Sequence, residues 1–250
     1  MLLMKVAALY DIHGNLPALE AVVQEIRQAQ VDHVVVGGDV IPGPMALESV
    51  DYLHKLDIPI EYIRGNCEMA VLDHLAGTDS SPLPEQAREA IHWTARQLPP
   101  DFQRLLAGWP RTLRMKVPEL GEVMFCHATP RSESECFTRL TPEARLLPVF
   151  GELGASLVVC GHTHMQFDRM VGQVRVVNAG SVGMPFGQAG AYWLLLGPDV
   201  QLRHTHYDLE GAARRIRGMS YPQAQDFATN NILKPASEGM MLQAFSRSEL

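Results

Sequence analysis

Metal-ligating side chains follow five apolar, β-branched runs of this 250-residue chain. The candidate ligands are carboxylates, carboxamides and imidazoles, a mixture that suits Mn²⁺, Fe or Zn²⁺ better than an all-oxygen calcium site or a thiolate zinc site. One such pair would be a weak signal, but five at successive strand ends predict one metal-lined edge of a folded sheet. The clusters are Asp11-Ile12-His13-Gly14-Asn15, Gly38-Asp39, Gly65-Asn66-Cys67-Glu68, His127 and Gly161-His162-Thr163-His164.

Two clusters space their ligands at positions i and i+2. On extended chain, Asp11 and His13 would point to the same side, and so would His162 and His164. Glycine stands directly before three of the ligands, where it lets the backbone turn sharply. Each pattern alone is common in loops, so the joint occurrence is what predicts a site.

The number of ligands indicates two ions. Seven candidates exceed what one tetrahedral ion uses, and they suffice for two ions if one carboxylate bridges. Two ions about 3.5–4 Å apart clamp the attacking and leaving oxygens of an in-line displacement. Two divalent ions give roughly +4, and two aspartates with a bridging hydroxide give about −3, so the site would favour a phosphate ester. The predicted ligands are Asp11, His13, Asp39, Asn66, His127, His162 and His164.

The elements that must position these ligands alternate between strand and helix in the first third of the chain. Apolar runs predict strands at residues 6–10, 33–36 and 58–63, and helical spacing predicts helices at 17–29 and 44–56. This order predicts a parallel sheet with right-handed crossovers. Ligands bind beyond the carboxyl ends of the strands in such sheets, which is where the first three clusters fall.

A helical insert is predicted at about residues 70–110, where it could line the mouth of the site. Its two helices are expected at residues 84–98 and 101–107, and a strand pair is expected at 112–126. Further strands are predicted at residues 155–160, 173–177, 192–196 and 201–205, and a further helix at 210–217. These elements predict a core of residues 1–206 and a C-terminal helical tail of residues 207–250, packed on the core or frayed from it.

Composition excludes several function classes. Hydrophobic residues make up 46% and charged residues 20% of the chain, as in an ordinary globular protein. The formal charge of −7 argues against a broad basic surface for nucleic acid. Four cysteines without a CxxC pair suit a reducing compartment. The first ten residues resemble a strand rather than a signal peptide, and no apolar run approaches the roughly 20 residues that span a bilayer. We expect a cytoplasmic protein.

The order D-x-H, GD, GN-x-E, H and GH-x-H resembles the calcineurin-like metallophosphoesterase superfamily. The resemblance runs from Met4 to about Val182. Residues 11–15, 38–44 and 178–183 look most like its short prokaryotic phosphodiesterase-like branch. The resemblance implies an α/β fold, namely a four-layer α/β-β/α sandwich with a dinuclear site at one end.

Carried over by position, the resemblance divides the ligands between two ions. One ion would be held by Asp11, His13 and His164, the other by Asn66, His127 and His162, and Asp39 would bridge them. A metal-bound hydroxide would attack phosphorus in line. The predicted catalytic residues are Asp39, Asn66, Cys67 and His127, and the predicted substrate-binding residues are Asn15, Arg64 and Cys67.

One position departs from the resemblance. Many superfamily members have histidine between this asparagine and the acidic residue, where it contacts phosphate or protonates the leaving oxygen, and here that position is Cys67. A thiol with a reference pKa of about 8.5 donates hydrogen bonds poorly, and its thiolate would repel phosphate. General-acid help should therefore be weak, favouring leaving groups that need little protonation. Alternatively, Cys67 is only a small neutral residue beside the metals.

Three neighbouring residues have open roles. Glu68 is expected to orient a neighbour rather than bind metal. Asn15 would either brace its loop or contact phosphate. Arg64 would either reach phosphate with a bidentate contact or form an outward salt bridge.

The predicted function is a dinuclear metal-dependent phosphoesterase that hydrolyses phosphodiesters or activated phosphomonoesters. Its cofactors would be two ions of Mn²⁺, Fe²⁺/Fe³⁺ or Zn²⁺, and its partner a small phosphoester or nucleotide. The alternative is a non-catalytic metal- or nucleotide-binding sensor or scaffold on the same fold. A protein phosphatase is less expected because nothing marks a peptide groove, and a nuclease because the chain is acidic. The sequence leaves the substrate, the metal and the oligomeric state undetermined.

Overall fold

Two five-stranded sheets form the centre of the protein in a computed structural model that describes residues 4–78, 83–247 and 250. The strands of the first sheet are β1 (Val6–Leu9), β2 (His33–Val36), β3 (Ile60–Tyr62), β9 (Ala191–Leu196) and β10 (Val200–Thr205). Those of the second are β4 (Thr112–Val117), β5 (Gly121–Cys126), β6 (Leu157–Cys160), β7 (Phe167–Val171) and β8 (Val174–Asn178). The strand orders are β10-β9-β1-β2-β3 and β4-β5-β6-β8-β7.

The predicted β-α-β-α-β unit forms the parallel part of the first sheet. Val6 pairs with His33, and Val34 pairs with Ile60, in parallel register. The second sheet has its own parallel part, β5-β6-β8, flanked by antiparallel β4 and β7. Parallel strands end at the same edge of a sheet, so both sheets present carboxyl ends from which loops can supply ligands.

Ten helical segments lie in the described part of the chain; those at residues 16–28 and 46–54 pack on the first sheet, and the one at 143–150 packs on the second. The ten are α1 (Leu16–Gln28), α2 (Ala46–His54), α3 (Asn66–Ala76), α4 (Glu85–Gln97), α5 (Pro100–Ala107), α6 (Glu143–Phe150), α7 (Leu209–Arg217), α8 (Ala224–Phe227), a π-helical turn (Ala228–Leu233) and α9 (Glu238–Phe245). The longest have 13 residues. No helix in the described part of the chain combines the length and apolar character needed to cross a membrane.

The core confirms the four-layer sandwich. Successive residues of β1 alternate between two apolar clusters, since Ala7 and Leu9 pack with α1 and α2 whereas Val6 and Ala8 pack against the second sheet. A third cluster joins the second sheet to α6. Strands buried on both faces are typical of a sheet that is covered on both sides.

The segment after residue 207 packs on the helical insert. Tyr221, Phe227 and Ile232 are buried in a small apolar cluster that is separate from the two sheets. Ala90 and Trp93 of α4 contribute to the same cluster, so the insert and the tail share one core. Helix α3 begins at Asn66, which places a predicted ligand in its first turn.

Candidate metal centre

The predicted ligands converge where strands of both sheets end. The carboxylate of Asp11, after β1, places Oδ1 3.2 Å from Nε2 of His164, after β6. Asp39, after β2, places Oδ2 3.5 Å from Nε2 of His127, after β5. Asn66 Oδ1 lies 3.1 Å from the same nitrogen of His127. The seven residues therefore form one cluster from distant parts of the chain.

The ligand atoms form three groups, and within each group all ligand atoms lie within 4.8 Å of one another. Two groups share no residue, namely Asp11, His13 and His164, and Asp39, His127 and His162; the third, His13, Asp39 and Cys67, overlaps both. His13 Nε2 joins them, since it lies 3.3 Å from His164 Nε2 and 3.8 Å from Asp39 Oδ2. This grouping matches the division between two ions that the family resemblance implies.

An unsatisfied carboxylate oxygen shows that a cation fits this cluster. Asp11 is fully buried, and its Oδ1 has no hydrogen-bond partner among the described residues. Nε2 atoms of His164, His127 and His13 surround that oxygen at 3.2, 3.8 and 3.9 Å. A buried anionic oxygen is stable only when a positive charge or donors compensate it, which imidazoles supply only when they are protonated. Divalent ions between these atoms would meet that requirement.

Backbone contacts aim the ligands. Nδ1 of His127 lies 2.9 Å from the Gly37 carbonyl oxygen, and Nδ1 of His164 lies 2.7 Å from that of Met184. A carbonyl oxygen only accepts hydrogen bonds, so each Nδ1 donates and each Nε2 is left for a metal. Asp11 likewise uses one oxygen for a backbone contact and leaves the other for a metal. Asp11 Oδ2 accepts the His162 N–H at 2.9 Å, which leaves Oδ1 directed into the centre.

Glu68 holds the loop that carries Asp39. Its buried carboxylate accepts N–H groups of Gly65 at 2.7 Å and Asp39 at 2.8 Å through Oε2. Its Oε1 accepts those of Val40 at 2.8 Å and Ile41 at 3.2 Å. Four backbone donors occupy this carboxylate, so it orients the loop of Asp39, as expected of a residue that orients a neighbour.

Most ligands have a left-handed backbone conformation. The φ angles are 55° at Asp11, 46° at His13, 53° at Asp39, 66° at His162 and 58° at His164. The extended chain assumed for the two i, i+2 pairs is therefore wrong, because each pair is turned inward by local left-handed residues. Such residues are costly by about 1–3 kcal/mol each and are concentrated at functional sites.

The glycines before the ligands serve two purposes. Gly38 has φ of 92°, a conformation that provides the expected sharp turn before Asp39. Gly65 and Gly161 instead provide space. A Cβ atom at Gly65 would lie 2.1 Å from Asp39 Oδ1, and one at Gly161 would lie 2.5 Å from Asp11 Oδ2. Any side chain at these two positions would displace a metal-binding carboxylate.

The pKa shifts indicate that the buried aspartates of the cluster favour a positive charge beside them. Burial lowers the pKa of His13 and of His162 to about 4, so both imidazoles are neutral at pH 7. Burial would also lower the pKa of His127, but the carboxylates of Asp39 and Asp11 raise it to about 10. Burial opposes ionisation of Asp39, yet the contact with His127 dominates and holds its pKa below the usual range. Divalent ions would supply the same charge more strongly than a proton.

Cys67 faces the centre as a neutral thiol. Its Sγ lies within 4.8 Å of ligand atoms of His13 and Asp39, and its N–H donates to Asp39 Oδ1 at 2.9 Å. Burial and the Asp39 carboxylate raise the pKa of the thiol well above its usual value. The chain thus places a weak donor where many superfamily members have histidine.

Two predicted substrate-binding residues have protein partners. Asn15 is fully buried, donates Nδ2 to the Gly183 carbonyl oxygen at 2.9 Å and to Tyr207 Oη at 3.2 Å, and caps α1 with Oδ1. These contacts are those of the loop-bracing alternative, and the phosphate contact stays a prediction. Arg64 Nε pairs with Glu133 Oε1 at 2.8 Å, the alternative to a phosphate contact.

Two residues beside the centre had no predicted role. Sγ of Cys136 lies 3.4 Å from Nε2 of His162. The ring of Phe186 stacks on the imidazole of His164, with centroids 5.3 Å apart and planes at 19°. Both lie in loops without periodicity, so only the folded chain brings them to the ligands.

Known proteins share this fold and site region. A family model described as a calcineurin-like phosphoesterase superfamily domain matches residues 4–198. The uncharacterized protein MJ0912 of Methanocaldococcus jannaschii is 24% identical over 232 residues, covering 84% of this chain and 91% of that protein.

Two crystal structures are similar to this fold. Hypothetical protein PH1004 from Pyrococcus horikoshii OT3 has a TM-score of 0.77 at 18% identity, over 94% of this chain and 100% of that one. A metallophosphoesterase from Sphaerobacter thermophilus has a TM-score of 0.70 at 22% identity, over 90% and 98%. At these identities the two structures establish the shared fold. The family match spans well over half of the chain and includes every predicted metal ligand. The chain therefore belongs to the calcineurin-like phosphoesterase superfamily.

Proposed function

We propose that this protein is a phosphoesterase that uses two divalent metal ions to hydrolyse a phosphodiester or an activated phosphomonoester. The observation that carries the proposal is the pair of adjacent ligand groups, between which the carboxylate of Asp39 lies 3.8 Å from His13 Nε2 and 3.5 Å from His127 Nε2. When bound, two ions would polarise phosphate oxygens and neutralise the charge that develops during an in-line displacement.

The protein's own residues would hold and orient this centre. One ion would be held by Asp11, His13 and His164, the other by Asn66, His127 and His162, with Asp39 shared between them. Donation from Nδ1 to backbone carbonyls fixes two of the imidazoles. Burial of the aspartates removes competing water from their outer sides, which strengthens their interaction with cations.

The thiol of Cys67 supports a preference among substrates. A neutral thiol beside His13 and Asp39 is a poor proton donor to a leaving oxygen. We infer that the leaving group departs largely unprotonated. Aryl esters and other esters with acidic leaving groups are therefore favoured over alkyl monoesters.

Removing the metals tests the function directly. We expect metal-stripped protein to show no measurable hydrolysis of bis(p-nitrophenyl) phosphate, and Mn²⁺ to restore it with about two ions bound per chain. Release of p-nitrophenol reports the activity, elemental analysis the metal, and circular dichroism whether the stripped protein stays folded. Equal activity with and without metal would contradict the proposal. Nucleotide binding without turnover by the fully loaded protein would instead favour the non-catalytic sensor or scaffold.

Replacement of Cys67 tests the account of the leaving group. Cys67→His should raise kcat/KM by about tenfold or more for phenyl phosphate, whose phenoxide is a poor leaving group. A positioned general acid typically raises the rate by a factor of about 10²–10⁴. The gain for p-nitrophenyl phosphate should be small, since that leaving group needs little protonation. Cys67→Ala is the matched variant that removes the thiol without adding a donor. An unchanged or reduced rate with phenyl phosphate would argue against this role of Cys67.

A further inference from the structure

The C-terminal cap, defined as residues 236–247 together with Leu250, touches two loops beside the metal centre. The Ala236 carbonyl oxygen accepts the N–H of Gly187 at 2.8 Å. Glu238 Oε2 pairs with Arg139 Nη2 at 2.7 Å. The N–H of Leu250 donates to the Cys136 carbonyl oxygen at 2.9 Å. The cap thus contacts the loop that follows β8 and the loop that follows β5.

Each of these two loops also contacts a candidate metal ligand. The loop after β5 brings Cys136 Sγ to 3.4 Å from His162 Nε2. The loop after β8 stacks Phe186 on His164 and offers the Met184 carbonyl oxygen to the same imidazole. One loop borders each of the two ion positions, so the cap lies across both sides of the centre's rim.

Phe245 is the residue through which helix α9 approaches the His164 side. Its ring lies 6.3 Å from the ring of Phe186 and is inclined to it by 55°. One face of Phe186 is already covered by the imidazole of His164. Phe186 therefore contacts His164 on one face and Phe245 elsewhere, and the two phenyl rings form an apolar wall beside His164.

Helix α9 is held less firmly than the rest of the tail. None of its eight residues, all of them described, is buried, and Met240 is 66% exposed. Helix α7 buries Ala212, Ala213 and Ile216 in comparison. Elements with few buried contacts lie at the low end of local stability. Such an element can set the size of a site without being part of the core.

We propose that Phe245 is a specificity-determining residue that, with Phe186, limits the size of the ester group bound on the His164 side of the metal centre. The proposal rests on the proposed function and deepens it. A phosphate that contacts both ion positions must direct its substituents away from the ligands, and on this side a substituent meets the phenyl pair. A small second ester group fits beside the phenyl pair, whereas an aryl group is crowded by it and binds more weakly.

Two diesters with the same leaving group test this proposal. Methyl p-nitrophenyl phosphate and bis(p-nitrophenyl) phosphate differ only in the second ester group, so the ratio of their kcat/KM values isolates its size. In Mn²⁺-loaded full-length protein, Phe245→Ala should raise the ratio of bulky to small ester about tenfold, mainly through KM, as expected for removal of a steric limit in an apolar pocket. Phe245→Tyr should keep the wild-type ratio. Met240→Ala, on the exposed face of the same helix, is the matched control and should also keep it.

A second measurement does not depend on catalysis. Hydrogen exchange of the α9 amides should accelerate in Phe245→Ala and stay unchanged in Met240→Ala, because only the first variant removes a contact with Phe186. An unchanged ratio in Phe245→Ala would overturn the proposal, and so would a lower ratio, which would mean that the ring binds the ester group. If the wild-type protein hydrolysed p-nitrophenyl phosphate but neither diester, the proposal would also be overturned, because it requires a bound second ester group. Failure with all three substrates would instead contradict the proposed function.

Discussion

Replacing Asp39 by asparagine will lower kcat by more than about a thousandfold and reduce the metal bound by the protein. The loss should exceed the roughly 10- to 100-fold that follows replacement of a residue that only orients a ligand. Asp39 Oδ2 lies 3.5 Å from His127 Nε2 and 3.8 Å from His13 Nε2, so it borders both ligand groups. Its Oδ1 accepts the Cys67 N–H. An asparagine would use its single carbonyl oxygen for that N–H and turn its NH₂ group towards the ions.

The measurement separates metal binding from catalysis. Mn²⁺ titration of the stripped variant should show weaker binding than wild type, and hydrolysis of bis(p-nitrophenyl) phosphate at saturating Mn²⁺ gives kcat. Asp57→Asn is the matched control, because the side chain of Asp57 is 85% exposed and, among the described residues, forms one long ion pair, with Arg27 at 3.6 Å. Retention of two tightly bound ions and of kcat within about tenfold of wild type would rule out Asp39 as the bridge.

The convergence of the candidate ligands was predictable from sequence because two local signals coincide near them. Short apolar runs locate the strands, and the polar residue types directly after them identify the chemistry. Asp11, Asp39 and His127 each follow a strand that is buried along its final residues. Parallel topology then brings these strand ends together, so no knowledge of distant contacts is needed to predict that the residues meet.

The backbone geometry of the ligands was not predictable in the same way. An i, i+2 spacing is compatible with an extended chain, and the preference of Asp and His for positive φ is too weak to predict that conformation at Asp11 and His13. The two are held in that conformation by tertiary hydrogen bonds, since the N–H of Asp11 donates to the Gly38 carbonyl oxygen and that of His13 to the Asp39 carbonyl oxygen. Tertiary context overrides local preference here, as is common at functional sites.

Elements with mixed patterns were missed for physical reasons. Strand β7 contains Asp168 and Arg169 in succession, which obscures the alternation expected of a strand. Helix α6 contains Pro148, a residue that normally interrupts a helix. The role of Asn15 was open because its partners, Gly183 and Tyr207, are far away in the sequence.

Replacement of Glu68 is also expected to have a large effect, and that effect is mainly on the free energy of unfolding. Glu68→Ala removes the acceptor of four backbone N–H groups in a buried position, so we expect a loss of about 3–5 kcal/mol in the free energy of unfolding. Glu68→Gln preserves the volume but directs an NH₂ group at two of the donors, so a smaller loss of about 2–3 kcal/mol is expected. Urea denaturation of metal-stripped protein measures both values, with Glu61→Gln at an exposed position as the control.

The same variants distinguish a positioning residue from a metal ligand. If Glu68 orients Asp39, its replacement destabilises the metal-free protein and weakens Mn²⁺ binding by about 10- to 100-fold as a consequence. If Glu68 were a ligand, the metal-free protein would unfold at the wild-type urea concentration and only metal binding would suffer. The four N–H groups at 2.7–3.2 Å predict the first outcome, since they leave its oxygens directed at the backbone rather than at an ion. The proposed centre would then depend on a carboxylate that contacts neither metal nor substrate, because Glu68 fixes the loop that carries Asp39.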